Sequence, residues 1–313
     1  MQDPMESSNA FSFLQSRLCQ LAERKTIALA CPHDSHTEYV IERALQEGFA
    51  RFILTLNGPL SPRLQAVIDA HSPYVRLLTC GSAEEASAKA VAAVRQGNAQ
   101  VLMKGTVNTD VLLRAVLNKQ EGLLEPGAVM NHISYCHIPA YSKHLMFSDA
   151  AVVPRPTLEQ FDAIVRHCID ASRRLGVDCP HVALTHCTEK VNPKFEHTLS
   201  YQQLIRWAAE GRYGDAIVDG PMDVKTALDP ESGQIKGIQS PVAGCADIII
   251  FPNIESGNTF YKTITLFAHA TIAGWLAGTT VPIVVASRAD SELSKYYSLA
   301  LSCLESSWAE NNG

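Results

Sequence analysis

The chain of 313 residues contains no CxxC pair, no GxGxxG fingerprint, no GxSxG elbow and no Walker A loop. Each absence removes a class of protein. Nine cysteines, an odd number without regular spacing, argue against a disulfide scaffold and for reduced thiols in a cytoplasmic protein. Several of them, such as Cys31, Cys80 and Cys187, sit in apolar strand-like runs. Without the glycine fingerprint an ordinary Rossmann dinucleotide site loses its main support, and without the elbow so does a serine hydrolase. Basic runs are also missing and the formal charge is −6, so nothing electrostatic points to nucleic acid or an anionic membrane. Met1 to Asn9 is polar and lacks the apolar core of a signal peptide. Phe260 to Leu276, the best membrane candidate, is too short and carries Lys262 and His269, so it reads as a core or interface helix.

What is present is an ordinary globular composition, 46% hydrophobic and 19% charged, in a chain long enough to bury one large core or two. Apolar β-branched runs alternate with amphipathic helical stretches. The spacing predicts strands at 26–30, 51–56, 75–79, 100–103, 182–185, 216–218, 247–251 and 282–286. Helices are predicted at 37–47, 83–95, 109–118, 158–174, 199–210 and 292–304. Such alternation implies βαβ units and a parallel sheet covered by helices. Val129–Ile138 and Lys143–Val152 break the rule and read as an antiparallel excursion. Pro154–Arg155–Pro156 is the best candidate hinge, because proline and its predecessor leave helical conformations.

Three junctions carry possible chemistry. Ser287, Arg288 and Asp290 follow the 282–286 strand and precede the last helix. Arginine suits an oxyanion through its two parallel charge-assisted donors, yet Arg288 reads equally as a surface residue and Asp290 as a helix cap. Lys104–Gly105 through Asn108–Thr109 forms another strand–turn–helix junction, where a helix N-terminus and a lysine attract anions. Asn108 or Thr109 can cap that helix, and most junctions of this kind bind nothing. Asn258, Tyr261 and Lys262 share one face at the start of an apolar helix, which reads as well as a capped buried helix. Asp215 and Asp219, four apart, resemble metal carboxylates of some dehydrogenases but also ordinary strand ends. His132, Cys136 and His137 fit no zinc spacing, so no metal site is expected. His186–Cys187 is expected to be a pair in sequence only, because adjacent strand residues point to opposite faces.

In order along the chain, Leu102–Met103–Lys104–Gly105 through Thr109–Leu117, Asp149–Ala150–Ala151–Val152, Glu189–Lys190–Val191–Asn192–Pro193 and Val218–Asp219–Gly220–Pro221 form a recognisable series. Ser240–Pro241–Val242–Ala243–Gly244, Gly257–Asn258 with Tyr261–Lys262, and Ser287–Arg288–Ala289–Asp290–Ser291 complete it. The series resembles the phosphate acetyl/butyryltransferase family, its butyryl branch in particular, over roughly Val101 to Leu301.

The resemblance implies two α/β lobes with mostly parallel sheets and an interlobe cleft, related in fold to the isocitrate/isopropylmalate dehydrogenases. With the proline hinge this divides the chain into 1–153 plus 284–313 and 154–283. It further implies a cytoplasmic homodimer that converts acyl-CoA and phosphate to CoA and acyl phosphate by direct thiol attack in a ternary complex. No bound cofactor is implied, coenzyme A being a substrate, and no nucleic acid or membrane partner. Ser287 matches the family serine that contacts the thiol, and Arg288 the arginine that grips phosphate. Lys104, Gly105, Asn108, Thr109, Asn258, Tyr261 and Lys262 fall at phosphate- or CoA-binding positions. The acetyl branch has an aspartate seven residues beyond the serine where this chain has Ser294, which leaves Asp290 as the candidate base, with Glu292 the other nearby carboxylate. Val153 likewise replaces an asparagine. The rivals are an NAD- and metal-dependent dehydrogenase using Asp215 and Asp219, and a non-catalytic CoA- or anion-binding protein.

Overall fold

In the computed structural model, residues 10–287 and 290–312 are described, with side chains as far as Ser307. The chain forms two compact units, Met1–Ala128 with Ala273–Gly313, and Val129–Ile272.

After a short helix α1 (Phe13–Leu18), the first unit lays down β1 (Lys25–Ala30), α2 (Ser35–Gln46), β2 (Ala50–Leu56), α3 (Pro62–Ala70) and β3 (Val75–Thr79). It continues with α4 (Ala83–Arg95), β4 (Val101–Lys104) and α5 (Thr109–Val116). The inner strands carry long apolar runs because a parallel sheet with helices on both faces is buried on both faces. Ile27, Ala28, Leu29 and Ala30 of β1 and Val101, Leu102 and Met103 of β4 have no exposed surface. Caps start the helices where the sequence supplies an oxygen. Asp34 accepts from the Thr37 amide and Ser82 from the Glu85 amide, each contact contributing about 1 kcal/mol.

The second unit opens with the antiparallel hairpin β5 (Asn131–His137) and β6 (His144–Ser148), as expected. It then runs through α6 (Leu158–Arg174), β7 (His181–Thr185), α7 (Glu196–Ala209), β8 (Ile217–Met222), α8 (Val224–Leu228) and α9 (Pro230–Ile235). β9 (Ile248–Ile250) and α10 (Ile254–Phe267) follow. Its strand order is β5-β6-β9-β7-β8, parallel from β6 onward. β6 pairs in register with β9, Met146 opposite Ile248 and Ser148 opposite Ile250, which ties the hairpin to this unit. The division therefore falls at Ala128/Val129 rather than at the prolines. Pro154–Arg155–Pro156 lies inside the second unit, on the way from β6 to α6, and is not the boundary.

The chain then forms β10 (Thr271–Ala277), β11 (Ile283–Val284) and the terminal helix α11 (Glu292–Asn312). The first unit's strand order is β3-β2-β1-β4-β11-β10. β4 and β11 run parallel, with Leu102 opposite Ile283 and Met103 opposite Val284. Only β10 is antiparallel to its neighbour β11. The return begins at Ala273, ahead of the expected 284, because β10 belongs to this sheet.

Phe260–Leu276 is not a single helix. His269 takes a left-handed backbone, φ 51°, just past the end of α10, and the β-branched and aromatic residues of Thr271–Ala277 form β10 instead. Among the described residues, no helix is long and apolar enough to cross a membrane.

Candidate active site

In the first unit, strand order reverses between β1 and β4: the chain moves from β1 outward to β3, then returns to the other side of β1. Ligands of open α/β sheets gather at the carboxyl ends of strands beside such a reversal. Lys104–Gly105 lies there, and Ser287 and Asp290 follow β11, the parallel neighbour of β4. The loop after β1 packs directly on the turn after β4. The Gly105 amide donates to the Ala30 carbonyl at 2.8 Å, and the Thr106 amide and hydroxyl donate to Cys31 O at 2.8 and 3.0 Å. Cys31 itself takes a left-handed backbone, φ 58°. A Cβ on Gly105 would lie 2.2 Å from Cys31 O, so only glycine permits this contact.

Lys104 does not extend outward as a point charge. It is buried, and its ammonium donates to its own turn, to Gly105 O at 3.0 Å and Val107 O at 3.2 Å. Asn108 occupies the N-cap of α5 without a side-chain capping bond, and Thr109, the first helical residue, is exposed.

Ser287 and Asp290 close a turn at both ends. The Ser287 amide donates to Asp290 Oδ2 at 2.7 Å, and the Asp290 amide donates to Ser287 O at 3.2 Å. The expectation for Arg288 lies outside the described residues. Helix α2 braces this turn: His36 Nδ1 lies 3.2 Å from Asp290 O, and buried Lys295 of α11 pairs with Asp34 at 3.2 Å. Burial raises the Asp34 carboxyl, but bonds from Thr37 and the Lys295 cation outweigh it and hold the group below its usual value. Sequence reasoning missed His36 and Lys295. Asp34 was legible as a cap three residues before Thr37, but its partner lies 261 residues away and left no local signal.

The second unit carries the other predicted residues. At the carboxyl end of β6, Asp149 is 2% exposed. Its carboxylate accepts from the amides of Ala151, Val152, Val153 and His132, at 2.6, 2.9, 3.3 and 3.0 Å. Gly257, in the first turns of α10, abuts this loop so closely that a Cβ would lie 2.1 Å from Asp149 O. Asn258 Nδ2 donates to Ala150 O at 3.1 Å. Phe147, Phe251 and Phe260 seat the helix, with Phe147 edge-on to Phe260 at 5.2 Å and to Phe251 at 6.1 Å. Such pairs contribute about 0.5–1.5 kcal/mol beyond burial. Tyr261 packs on the same cluster, and exposed Lys262 places its ammonium 4.5 Å from the Tyr261 ring. The Asp149 motif and the Gly257–Asn258 motif, 108 residues apart, are thus one structural unit.

Asp215 and Asp219 do not form a metal pair. Asp215 precedes β8 and is exposed, whereas Asp219 lies within the strand and accepts from the Gly220 amide at 2.8 Å. Among the described residues, no three His, Cys, Asp or Glu side chains converge as a metal site.

The profile of the phosphate acetyl/butaryl transferase family matches residues 81–303. The chain belongs to this family of acyltransferases. It is 36% identical over 279 residues to a probable phosphate butyryltransferase of Bacillus subtilis, covering 89% of this chain and 92% of that one. Identity is also 36%, over 283 residues, to a phosphate acetyltransferase of Thermotoga maritima, covering 90% and 95%. Among solved structures, a branched-chain phosphotransacylase from Enterococcus faecalis superimposes with a TM-score of 0.79 at 28% identity, covering 90% of this chain and 99% of that one.

Proposed function

We propose that the chain catalyses reversible transfer of a short-chain acyl group between coenzyme A and inorganic phosphate. The observation that supports this reading is that Lys104–Gly105 and Ser287 follow β4 and β11, neighbouring parallel strands beside the reversal of strand order. Family membership supplies the chemistry. Equal identity to an acetyl and a butyryl relative supports a short acyl chain without choosing its length.

A CoA thiol, pKa ~8.5, loses its proton as it attacks the acyl phosphate, and negative charge develops on the carbonyl oxygen. Ser287, exposed at the turn, is assigned to the thiol and Arg288 to the phosphate. Asp290, three residues on, is the candidate base. Phosphate and CoA contacts are assigned to Gly105, Asn108 and Thr109, with Lys104 supplying positive charge beneath the turn. Asn258, Tyr261 and Lys262 are assigned the same role in the second unit. Positioning and electrostatics then supply most of the acceleration, with no bound cofactor or metal. The reading includes a cytoplasmic homodimer. Leu266 and Phe267, 68% and 75% exposed at the end of α10, offer an apolar surface suited to a second copy.

Arg288→Lys tests the assignment, because it replaces a bidentate fork by a point charge. kcat/KM for phosphate should fall about 10- to 100-fold with thermal stability unchanged. Unchanged kinetics would remove Arg288 from the site.

A further inference from the structure

The acyl transfer proposed above needs no protein thiol, yet one cysteine of the second unit sits in a relay of two imidazoles. Cys19, Cys179 and Cys187 are exposed. Burial pushes the thiol of Cys31 up to about 11 and that of Cys303 to about 12, and raises those of Cys136 and Cys168 further. These sulfurs are protonated and out of reach. Cys179 spends its S–H on the Asp215 carbonyl at 2.8 Å. Cys187 Sγ lies instead 3.6 Å from His186 Nε2.

β7 ends at Thr185, so strand alternation stops before this pair and the two side chains meet, contrary to the expectation from sequence. His186 is 9% exposed, and its other ring nitrogen, Nδ1, lies 3.0 Å from Nε2 of His197 on α7. Phe195 closes one side, edge-on to His186 at 4.7 Å, and Tyr201 backs His197 at 5.4 Å. Two neutral imidazoles facing each other share one proton. With that proton on His186 Nδ1 and donated to His197, His186 Nε2 is an acceptor aimed at the thiol. Burial holds both histidines below their usual value, His197 with a further contribution from His186, so both are neutral near pH 7. A nucleophile, a base within reach and a third group orienting the base make up an activated thiol.

We propose that Cys187, His186 and His197 form a thiol–disulfide exchange site at which low-molecular-weight disulfides modify the chain. His186 Nε2 takes the S–H proton as Cys187 sulfur attacks one sulfur of the disulfide. The Cys187–sulfur bond forms and the disulfide S–S bond breaks. The departing thiolate then takes the proton from the imidazolium. Cys187 is oxidised, the released small thiol is the reduced product, and the disulfide is the only oxidant.

Cys19, exposed on the same molecule, is the internal control. The full chain is treated with oxidised glutathione at pH 7, and mixed-disulfide formation is timed at each cysteine by peptide mass spectrometry. Cys187 should react about tenfold faster than Cys19 or more. His186→Gln should bring Cys187 to the Cys19 rate while leaving Cys19 itself unchanged, and His197→Gln should have a smaller effect in the same direction. Cys187→Ser should abolish the fast phase. A wild-type Cys187 no faster than Cys19, or a Cys187 rate unmoved by His186→Gln, would overturn the proposal. The wild-type comparison stands even if a histidine variant misfolds.

Discussion

The two units solve the same packing problem with opposite charge. In each, a glycine lets one segment press against a backbone carbonyl of a loop: the turn at Gly105 on Cys31 in the first unit, helix α10 at Gly257 on Asp149 in the second. Behind the first contact lies a buried cation, Lys104, satisfied by carbonyls of its own turn. Behind the second lies a buried anion, Asp149, satisfied by four amides. Burying an unpaired charge costs several kcal/mol, so each loop has one conformation that satisfies its charge. The carboxylate draws the Ala151, Val152 and Val153 amides of its own loop onto one group and ties them to His132 of β5. The first junction should therefore answer to mutation chiefly in activity, and the second chiefly in stability.

The glycines test this contrast most severely. Gly105→Ala must separate two backbones that now touch, and a displacement near 1 Å at a reacting centre costs about 100-fold in kcat/KM. Steady-state kinetics should show that loss with a smaller change in thermal stability. Gly257→Ala should reverse the balance, lowering the unfolding midpoint first. Equal profiles for the two variants would dissolve the comparison.

Charge removal gives the next effects. Asp149→Asn keeps one acceptor oxygen for four donors and should cost about 2–4 kcal/mol in urea unfolding. Lys104→Met leaves the Gly105 and Val107 carbonyls without that donor and should cost about 1–2 kcal/mol. A larger stability loss for Lys104→Met than for Asp149→Asn contradicts the ordering.

A third buried charge, the Asp162 carboxylate on α6, sharpens the picture because it is held by cations instead of amides. Arg212 reaches it with two bonds of 2.8 Å, Arg166 at 2.8 Å and the Tyr213 hydroxyl at 2.9 Å. Burial raises this carboxyl, but Arg212, Tyr213 and Arg166 together hold it below its usual value. The stabilisation from this network is thus complete above about pH 4 and is lost as pH falls through the depressed folded value. Acid titration of wild type against Asp162→Asn should show the two stabilities converging below pH 4. Parallel curves would mean that the network contributes nothing.

Much of the fold was legible because its causes are local. Ala83–Arg95 and Leu158–Arg174 form helices over the predicted spans, each with an apolar face and a Ser or Thr cap. The strands that read as continuous apolar runs are the buried parallel ones. The boundary between units was not legible, because it depends on β6 pairing with β9, about a hundred residues away. β10 was hidden because Thr271–Ala277 is as apolar as the helix before it, and the break is a single backbone conformation at His269. Within the candidate site, residue types were readable and partners were not. Lys104 was expected to attract an anion, and it is buried and donates to its own turn; Asp149 stood in a motif without a role; His36 and Lys295 reach the site turn only through tertiary contacts.

The central claim is acyl transfer to phosphate. It is tested most directly by following CoA release from acetyl-CoA and butyryl-CoA with a thiol reagent, with and without phosphate or arsenate, and with no added metal or NAD. The account predicts catalytic CoA release that depends on phosphate or arsenate and needs neither addition. Binding of CoA without turnover, or turnover that requires a divalent metal and NAD, would contradict it.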